Sequence, residues 1–219
     1  LVGSEMCIRD RNVMITIGRQ FGSGGREVGA RLAERLNLPL YDKNLVELAA
    51  EKIGISEERA NSIDETALNG FLTAYTYPPA TMMDYAGRMD YQPPLSDKMF
   101  YVQSNMIRGL AQKGPAVFIG RCADYVLREQ EECLNVFICA DKADRIKRTM
   151  ELFDLTERKA ADRMKKIDRE RRYYYETYTE NEWGAVSSHD IMLNVSRLGI
   201  DRAVRDLELI YKGMVEDES

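Results

Sequence analysis

Residues Val13 to Leu36 read VMITIGRQFGSGGREVGARLAERL, and this stretch decides the fold. Val13, Met14, Ile15 and Ile17 form a short apolar run that predicts a buried strand. Gly22-Ser23-Gly24-Gly25 follow at once, and then Val28, Leu32 and Leu36 recur every fourth residue, the spacing of a helix with one buried face. Strand, glycine loop and helix together aim backbone N–H groups at an anion, and the helix N-terminus adds partial positive charge. A Cβ in such a loop would block both the backbone angles and the close approach of the ligand. The stretch therefore reads as a P-loop rather than as a plain glycine-rich turn.

The match to G-x-x-x-x-G-K-[ST] is incomplete. With Gly25 as the second glycine, Gln20 stands at the first, Arg26 at the lysine and Glu27 at the serine or threonine. The flat fork of Arg26 suits bidentate contact with phosphate oxygens. Glu27 does not replace a hydroxyl one-for-one as a magnesium ligand, but its carboxylate suits holding the ion through water.

Working outward, 219 residues suffice for one domain with a proper core. With 44% hydrophobic and 31% charged residues the composition is that of a soluble globular protein, and a net charge of −5 argues against a nucleic-acid-binding surface. No apolar run is long enough to span a bilayer, which argues against a membrane partner. Cys7, Cys122, Cys133 and Cys139 show no CxxC spacing, and His189 is the one histidine. That inventory argues against a metal cluster or disulfide framework and for a reducing, cytoplasmic setting. Leu1 to Arg11 lack the apolar centre of a signal peptide and resemble translated adapter sequence ahead of a natural start near Met14. Residues 1–12 are thus expected to be a non-native or disordered extension, and 13–219 a single domain.

Further strands are expected at Leu38–Tyr41, Ala116–Ile119, Leu134–Cys139 and Ile191–Val195, with helices between them. One helix carries Leu45, Leu48, Ala49 and Ile53 and stops at Gly54. Ser56 is placed to cap another, and a third opens at Ser96. Asp141 is placed to cap the helix after strand four, and the last helix carries Val204, Leu207 and Ile210. Alternating strands and helices imply an α/β fold: a parallel sheet of about five strands covered on both faces, with ligands at the carboxyl ends of the strands. That rule sets the glycine loop, Asp42 and Arg121 along one rim.

Two segments interrupt the pattern. From Gly70 to Leu95 the chain turns to Tyr, Met and Pro, and two Pro-Pro pairs argue against a continuous regular element. This marks an inserted lobe (about 55–112) whose aromatic residues suit covering the core, ahead of stacking on a base or a homodimer contact. Thr156 to Tyr178 reads as a long helix with Ala160, Met164, Ile167, Tyr174 and Tyr178 on its apolar line and a dense set of basic residues around it. Most of these charges suit a solvated face, paired with Glu157, Asp162, Asp168 and Glu170. A few arginines suit a helical lid (about 156–183) reaching over phosphates, with Arg163 and either Arg169 or Arg172 as the candidates.

Phosphoryl transfer fits this inventory. Its loose transition state spreads negative charge, so catalysis is mainly positioning and cationic stabilisation, with no dedicated nucleophile. His189, at the head of strand five, is assigned a structural role. A closing lid would also exclude competing water.

The chain resembles the cytidylate kinase-like family, a branch of the P-loop nucleoside monophosphate kinases. The resemblance rests on ITIGRQFGSGGREVGARLAERL, LPLYDKNLVELAAEKIGIS, VFIGRCADYVL, VFICADKADRIKRTM, IDRERRYYYETYTENEWG and HDIMLNVSRLGIDRAV. It implies an ATP-dependent kinase that phosphorylates CMP or a similar nucleotide, with Mg2+ accompanying ATP. Gly22, Ser23, Gly24, Gly25, Arg26 and Glu27 would hold the donor phosphates. Arg121 would contact the acceptor phosphate, Asp42 would lie near the acceptor, and Asp124 would read the base. Arg163, Arg169 and Arg172 would belong to the lid. Asp124 stands farther from Arg121 than in the G-R-D arrangement of cytidylate kinases, which leaves the acceptor base open. The absent P-loop lysine and hydroxyl keep a second class open, a nucleotide-binding regulator without fast catalysis, and a kinase of another small acceptor is a third.

Overall fold

The computed structural model describes residues 12–42, 44–54, 94–130 and 132–216. Five strands form one sheet in the order β2-β3-β1-β4-β5: β1 (Met14–Arg19), β2 (Leu40–Tyr41), β3 (Val117–Ile119), β4 (Cys133–Cys139) and β5 (Ile191–Asn194). Every pairing is parallel, with Ile15 opposite Val117 on one side of β1 and Leu134 on the other. Helices α1 (Gly25–Leu36), α2 (Asn44–Ile53) and α3 (Leu95–Ala111) occur in that order along the chain, with a short α4 (Ala123–Val126) after β3. Helices α5 (Lys142–Phe153) and α6 (Glu157–Thr179) follow β4, and α7 (Val195–Leu198) and α8 (Ile200–Glu216) close the chain.

Side chains of a strand alternate between faces, so β1 feeds two cores. Val13, Ile15 and Ile17 pack with Val28 and Leu32 of α1 and Val204 and Leu207 of α8. Met14 points the other way, to Phe118, Leu45 of α2 and Ile107 of α3. With both faces covered, the strands are largely apolar, with Thr16 and Asn135 satisfying each other at 2.7 Å, and polar side chains gather at the strand ends.

The expected strands and the glycine-loop helix are present, with local differences. The second strand is two residues long, and Pro39, which lacks an N–H, joins the sheet only by accepting from Val117 at 2.9 Å. Helix α3 starts at Leu95 behind Pro94, not at Ser96, whose hydroxyl donates to Asp97 Oδ1 at 3.4 Å. Asp141 holds the N-cap position of α5, yet its carboxylate accepts from Asn194 Nδ2 at 3.0 Å instead of capping. The Tyr/Met/Pro-rich insert and the helix expected after Ser56 lie outside the described residues.

Candidate active site

The carboxyl ends of β1, β3 and β4 meet α1, α5 and α6 around a cleft of about 1000 Å³. Its floor is the turn behind β1. Gly22 and Gly24 both adopt positive φ (75° and 82°), and a Cβ on Gly22 would stand 2.7 Å from the Arg145 carbonyl. Only glycine takes that conformation cheaply. Ser23 is buried behind the turn, where its hydroxyl donates to the Gln20 carbonyl (2.9 Å) and accepts from the Gly25 N–H (3.3 Å). Arg26 and Glu27 sit in the first turn of α1, where a helix leaves N–H groups without intrahelical partners.

Above the turn, guanidinium groups gather on one carboxylate. Arg26 Nε lies 2.6 Å from Asp42 Oδ2, and Arg19 Nη2 lies 3.8 Å from Asp42 Oδ1. Arg171 donates to the Arg19 carbonyl at 3.2 Å. Burial pushes the pKa of Arg121 down, opposed by Tyr174 and Asp42, and burial brings Arg171 down to about 10. Gly120, Arg121 and Cys122 are three successive residues at positive φ (69°, 60° and 53°). Two of them carry a Cβ, a strain of about 1–2 kcal/mol each that other contacts must hold in place. That turn brings Arg121 to the cleft directly after β3.

At the other end of the cleft Tyr175 donates to Asp124 Oδ2 at 2.5 Å. Burial raises the Asp124 pKa, with the Tyr175 hydrogen bond and His189 pulling it back. His189 Nδ1 bonds the Ala185 carbonyl (2.9 Å), and its ring packs edge-on against Phe137 at 5.0 Å. Those two rings account for Gly18, where a Cβ would meet Phe137 at 2.7 Å and His189 at 3.1 Å.

Of the residues singled out in the sequence, Gly22, Gly24, Gly25, Arg26, Glu27, Asp42, Arg121, Asp124 and Arg163 all line this one cleft. Arg169 and Arg172 do not. Both are exposed, and Arg172 faces Glu176 (4.0 Å) and Trp183 (6.0 Å) instead. The reason is helical phase: from Arg163, a step of about 100° per residue puts Arg171 about 80° away, Arg169 about 240° and Arg172 about 180°. Arg171 thus shares the cleft face with Arg163, Ile167 and Tyr174. Counting from Arg163 in the sequence would have found it.

Two further arginines come from α5, and nothing local marks them. Arg145 is buried, ion-paired with Asp168, and its Nε donates to the Phe21 carbonyl at 2.8 Å. Asp168 accepts the Phe21 N–H at 2.7 Å. Arg148 pairs with Glu27, which Arg31 also holds at 2.5 Å. Among the described residues no group of three His, Cys, Asp or Glu side chains could hold a metal. Magnesium with a nucleotide needs only one or two carboxylates besides phosphate and water. Glu27 offers one on the cleft wall, but both its oxygens already meet guanidiniums, so it fits the ion through water rather than as a direct ligand.

The comparisons agree with this architecture. No curated protein matches the sequence. An uncharacterized protein from Eubacterium ventriosum is similar in structure at a TM-score of 0.68 and 28% identity, over 91% of this chain and 98% of that one. Shikimate kinase from Bacteroides thetaiotaomicron (TM-score 0.51, 15% identity, 91% and 98% covered) shares the fold. So does a gluconokinase from Sinorhizobium meliloti (0.50, 14%, 95% and 97%). No helix among the described residues is long and apolar enough to cross a membrane. The profile of the cytidylate kinase-like family matches residues 14–197, the whole span from β1 to α7, and with its P-loop kinase fold the chain belongs to that family.

Proposed function

We propose that the protein transfers the γ-phosphoryl group of ATP to the phosphate of a nucleoside monophosphate, CMP first among them, giving ADP and CDP. The carrying observation is the gathering of Arg19, Arg26, Arg121 and Arg171 around Asp42, beside the glycine turn. Around Asp42 guanidiniums outnumber the carboxylate, although Glu27, Glu47, Asp124 and Glu170 also line the cleft, and this local excess of positive charge suits two phosphorylated substrates meeting end to end. The acceptor's phosphate oxygen is already anionic, so the reaction needs alignment and charge stabilisation, and no residue has to remove a proton.

In this reading the Arg26 and Glu27 amides and the Arg26 guanidinium hold the donor phosphates. Arg121 holds the acceptor phosphate, and Asp42 fixes the guanidiniums around it. Arg163 and Arg171, from α6, balance charge on the moving group. Asp124, held by Tyr175, faces the acceptor's base end, where a buried carboxylate accepts from an exocyclic amine. Glu27 would hold Mg2+ through water, and the ion would neutralise charge between the donor phosphates. The free thiols of Cys122, Cys133 and Cys139 suit the reducing cytoplasm.

The test is ADP release in a coupled assay over CMP, UMP, AMP, GMP and a set of non-nucleotide acids, with and without magnesium. Turnover that depends on CMP, and falls by about 100-fold or more in Arg26→Ala, supports the reading. ATP binding with no acceptor-dependent turnover assigns the regulator role instead, which the missing lysine and hydroxyl favour. Turnover with a non-nucleotide acid alone would replace CMP as the acceptor.

A further inference from the structure

In G-x-x-x-x-G-K-[ST] the lysine follows the second glycine at the start of the helix and reaches the phosphates. Here α1 starts at Gly25, directly behind the left-handed Gly24. Aligned on that helix start, Gly24 is the second glycine, Arg19 stands where the pattern has its first glycine, and Gly25 stands where it has lysine. The two positions have exchanged cation and glycine.

The structure shows why they change together. A Cβ on Gly25 would stand 2.5 Å from Cβ and 3.2 Å from Cγ of Arg19. The stem of Arg19 therefore fills the space a side chain at 25 would leave by. Its guanidinium then lies against Gly120, at φ 69°, where any Cβ would overlap it. Arg19 passes between two glycines into the cleft, with its side chain only 17% exposed. The carboxylate it faces, Asp42 at 3.8 Å, is closer to Arg26 at 2.6 Å. Burial and then Arg171 push the Arg19 pKa well down, Asp42 opposes this, and Arg121 and Arg26 push it further down. A guanidinium does not give up its proton in a protein, so that tension is electrostatic strain that a bound anion relieves.

We propose that Arg19 is the phosphate-gripping cation of this site, taking over from β1 the task the P-loop lysine performs from the helix. Its ligand is the polyphosphate tail of a nucleoside triphosphate, an identity that rests on the kinase reading above. The contact needs no opening of the loop, because the guanidinium already lines the cleft.

The experiment measures affinity for ATP and for inorganic tripolyphosphate by calorimetry, and ligand-free stability by thermal unfolding. It uses the full chain, Arg19→Met, and the double variant Arg19→Gly with Gly25→Lys. Losing one charge-assisted contact should weaken both ligands by about 10- to 100-fold in Arg19→Met. Its ligand-free midpoint should stay level or rise, because a strained cation has gone. A packing role would do the reverse, lowering the midpoint and sparing affinity, and that result overturns the proposal. The double variant puts the cation back on the helix. With the Arg19 stem gone, the tight contact left at position 25 is 3.1 Å to Ile138 Cβ, a matter of a few tenths of an ångström. It should recover affinity to within about tenfold of the parent. A folded double variant no tighter than Arg19→Met overturns the exchange, and if the double variant does not fold, Arg19→Met decides alone. Unaltered affinity in Arg19→Met overturns the inference while leaving the kinase reading intact. A parent that binds ATP but turns over no acceptor overturns the kinase reading and leaves Arg19 in place, and a parent that binds neither ligand overturns both.

Discussion

The cleft has two walls built on different principles. On the sheet side, cations are placed by backbone: glycines at 18, 22, 25 and 120 clear the volume into which Arg19, Phe137, His189 and the Arg145 carbonyl fit. On the helix side, α5 and α6 place cations by side-chain ion pairs and rings. Arg145 meets Asp168, Arg148 meets Glu27, and Arg163 lies 4.1 Å over the Phe153 ring. The walls join at Phe21, whose carbonyl takes Arg145, whose N–H gives to Asp168, and whose ring stacks on Phe153 at 5.9 Å. The sheet wall is therefore set by backbone clearance and the helix wall by side-chain contacts, among which those at Phe21 engage both α5 and α6, alongside Arg171 on the Arg19 carbonyl and Arg148 on Glu27.

The sharpest way to break this comparison is to cut the joint. Arg145→Ala strands the Asp168 carboxylate beside Phe21, and breaking one side of a buried pair costs about 3–5 kcal/mol. Urea unfolding should show that loss, and the double variant with Asp168→Ala should regain part of it. Hydrogen exchange at the Phe21 amide should speed up in the single variant. A cost under about 1 kcal/mol would mean the walls are held together elsewhere.

The next test separates neighbours on α6. Arg171→Ala should lower kcat/KM for the preferred acceptor by about 100-fold, as expected when a cation near developing phosphate charge is lost. Arg172→Ala, on the solvated side, should change it less than about threefold, in keeping with a surface charge. Equal effects would mean that α6 presents a different face to substrate than the one lining the cleft here.

The same contrast explains what could be read in advance. The sheet wall is local: an apolar run, then glycines, then a helix period, so β1, the loop and α1 are legible in one 24-residue stretch, as are Asp42 and Arg121 at strand ends. The helix wall is not. The apolar line through Ala160, Met164, Ile167, Tyr174 and Tyr178 phases α6, but the dense arginines around it do not show which of them turn inward, and Glu170, expected among the solvated charges, is buried. Arg19 escaped notice because a P-loop is sought through its lysine, and the exchange with Gly25 is visible only when the helix start is known. Arg145 and Arg148 were hidden for another reason. Their partners, Asp168 and Glu27, are 23 and 121 residues away, and no local period encodes such a pair.

The smallest expected effect belongs to Asp124, where both walls meet the acceptor end. Burial raises its pKa above the usual carboxyl value of 3.8. The folded chain therefore keeps a proton on Asp124 over a pH range in which the unfolded chain has released it. Stability of the parent falls as pH rises from about that value through the folded pKa, and is flat beyond it. Asp124→Asn has no proton to lose and still offers an oxygen to the Tyr175 hydroxyl. Urea midpoints taken from acid to neutral pH should show the variant gaining on the parent across that window and holding a constant lead above it. A lead that shrinks with rising pH would mean that Tyr175 and His189 stabilise the carboxylate more than burial penalises it. Asp124 would then be held as a carboxylate ahead of the ligand, ready to accept from a hydrogen-bond donor on it.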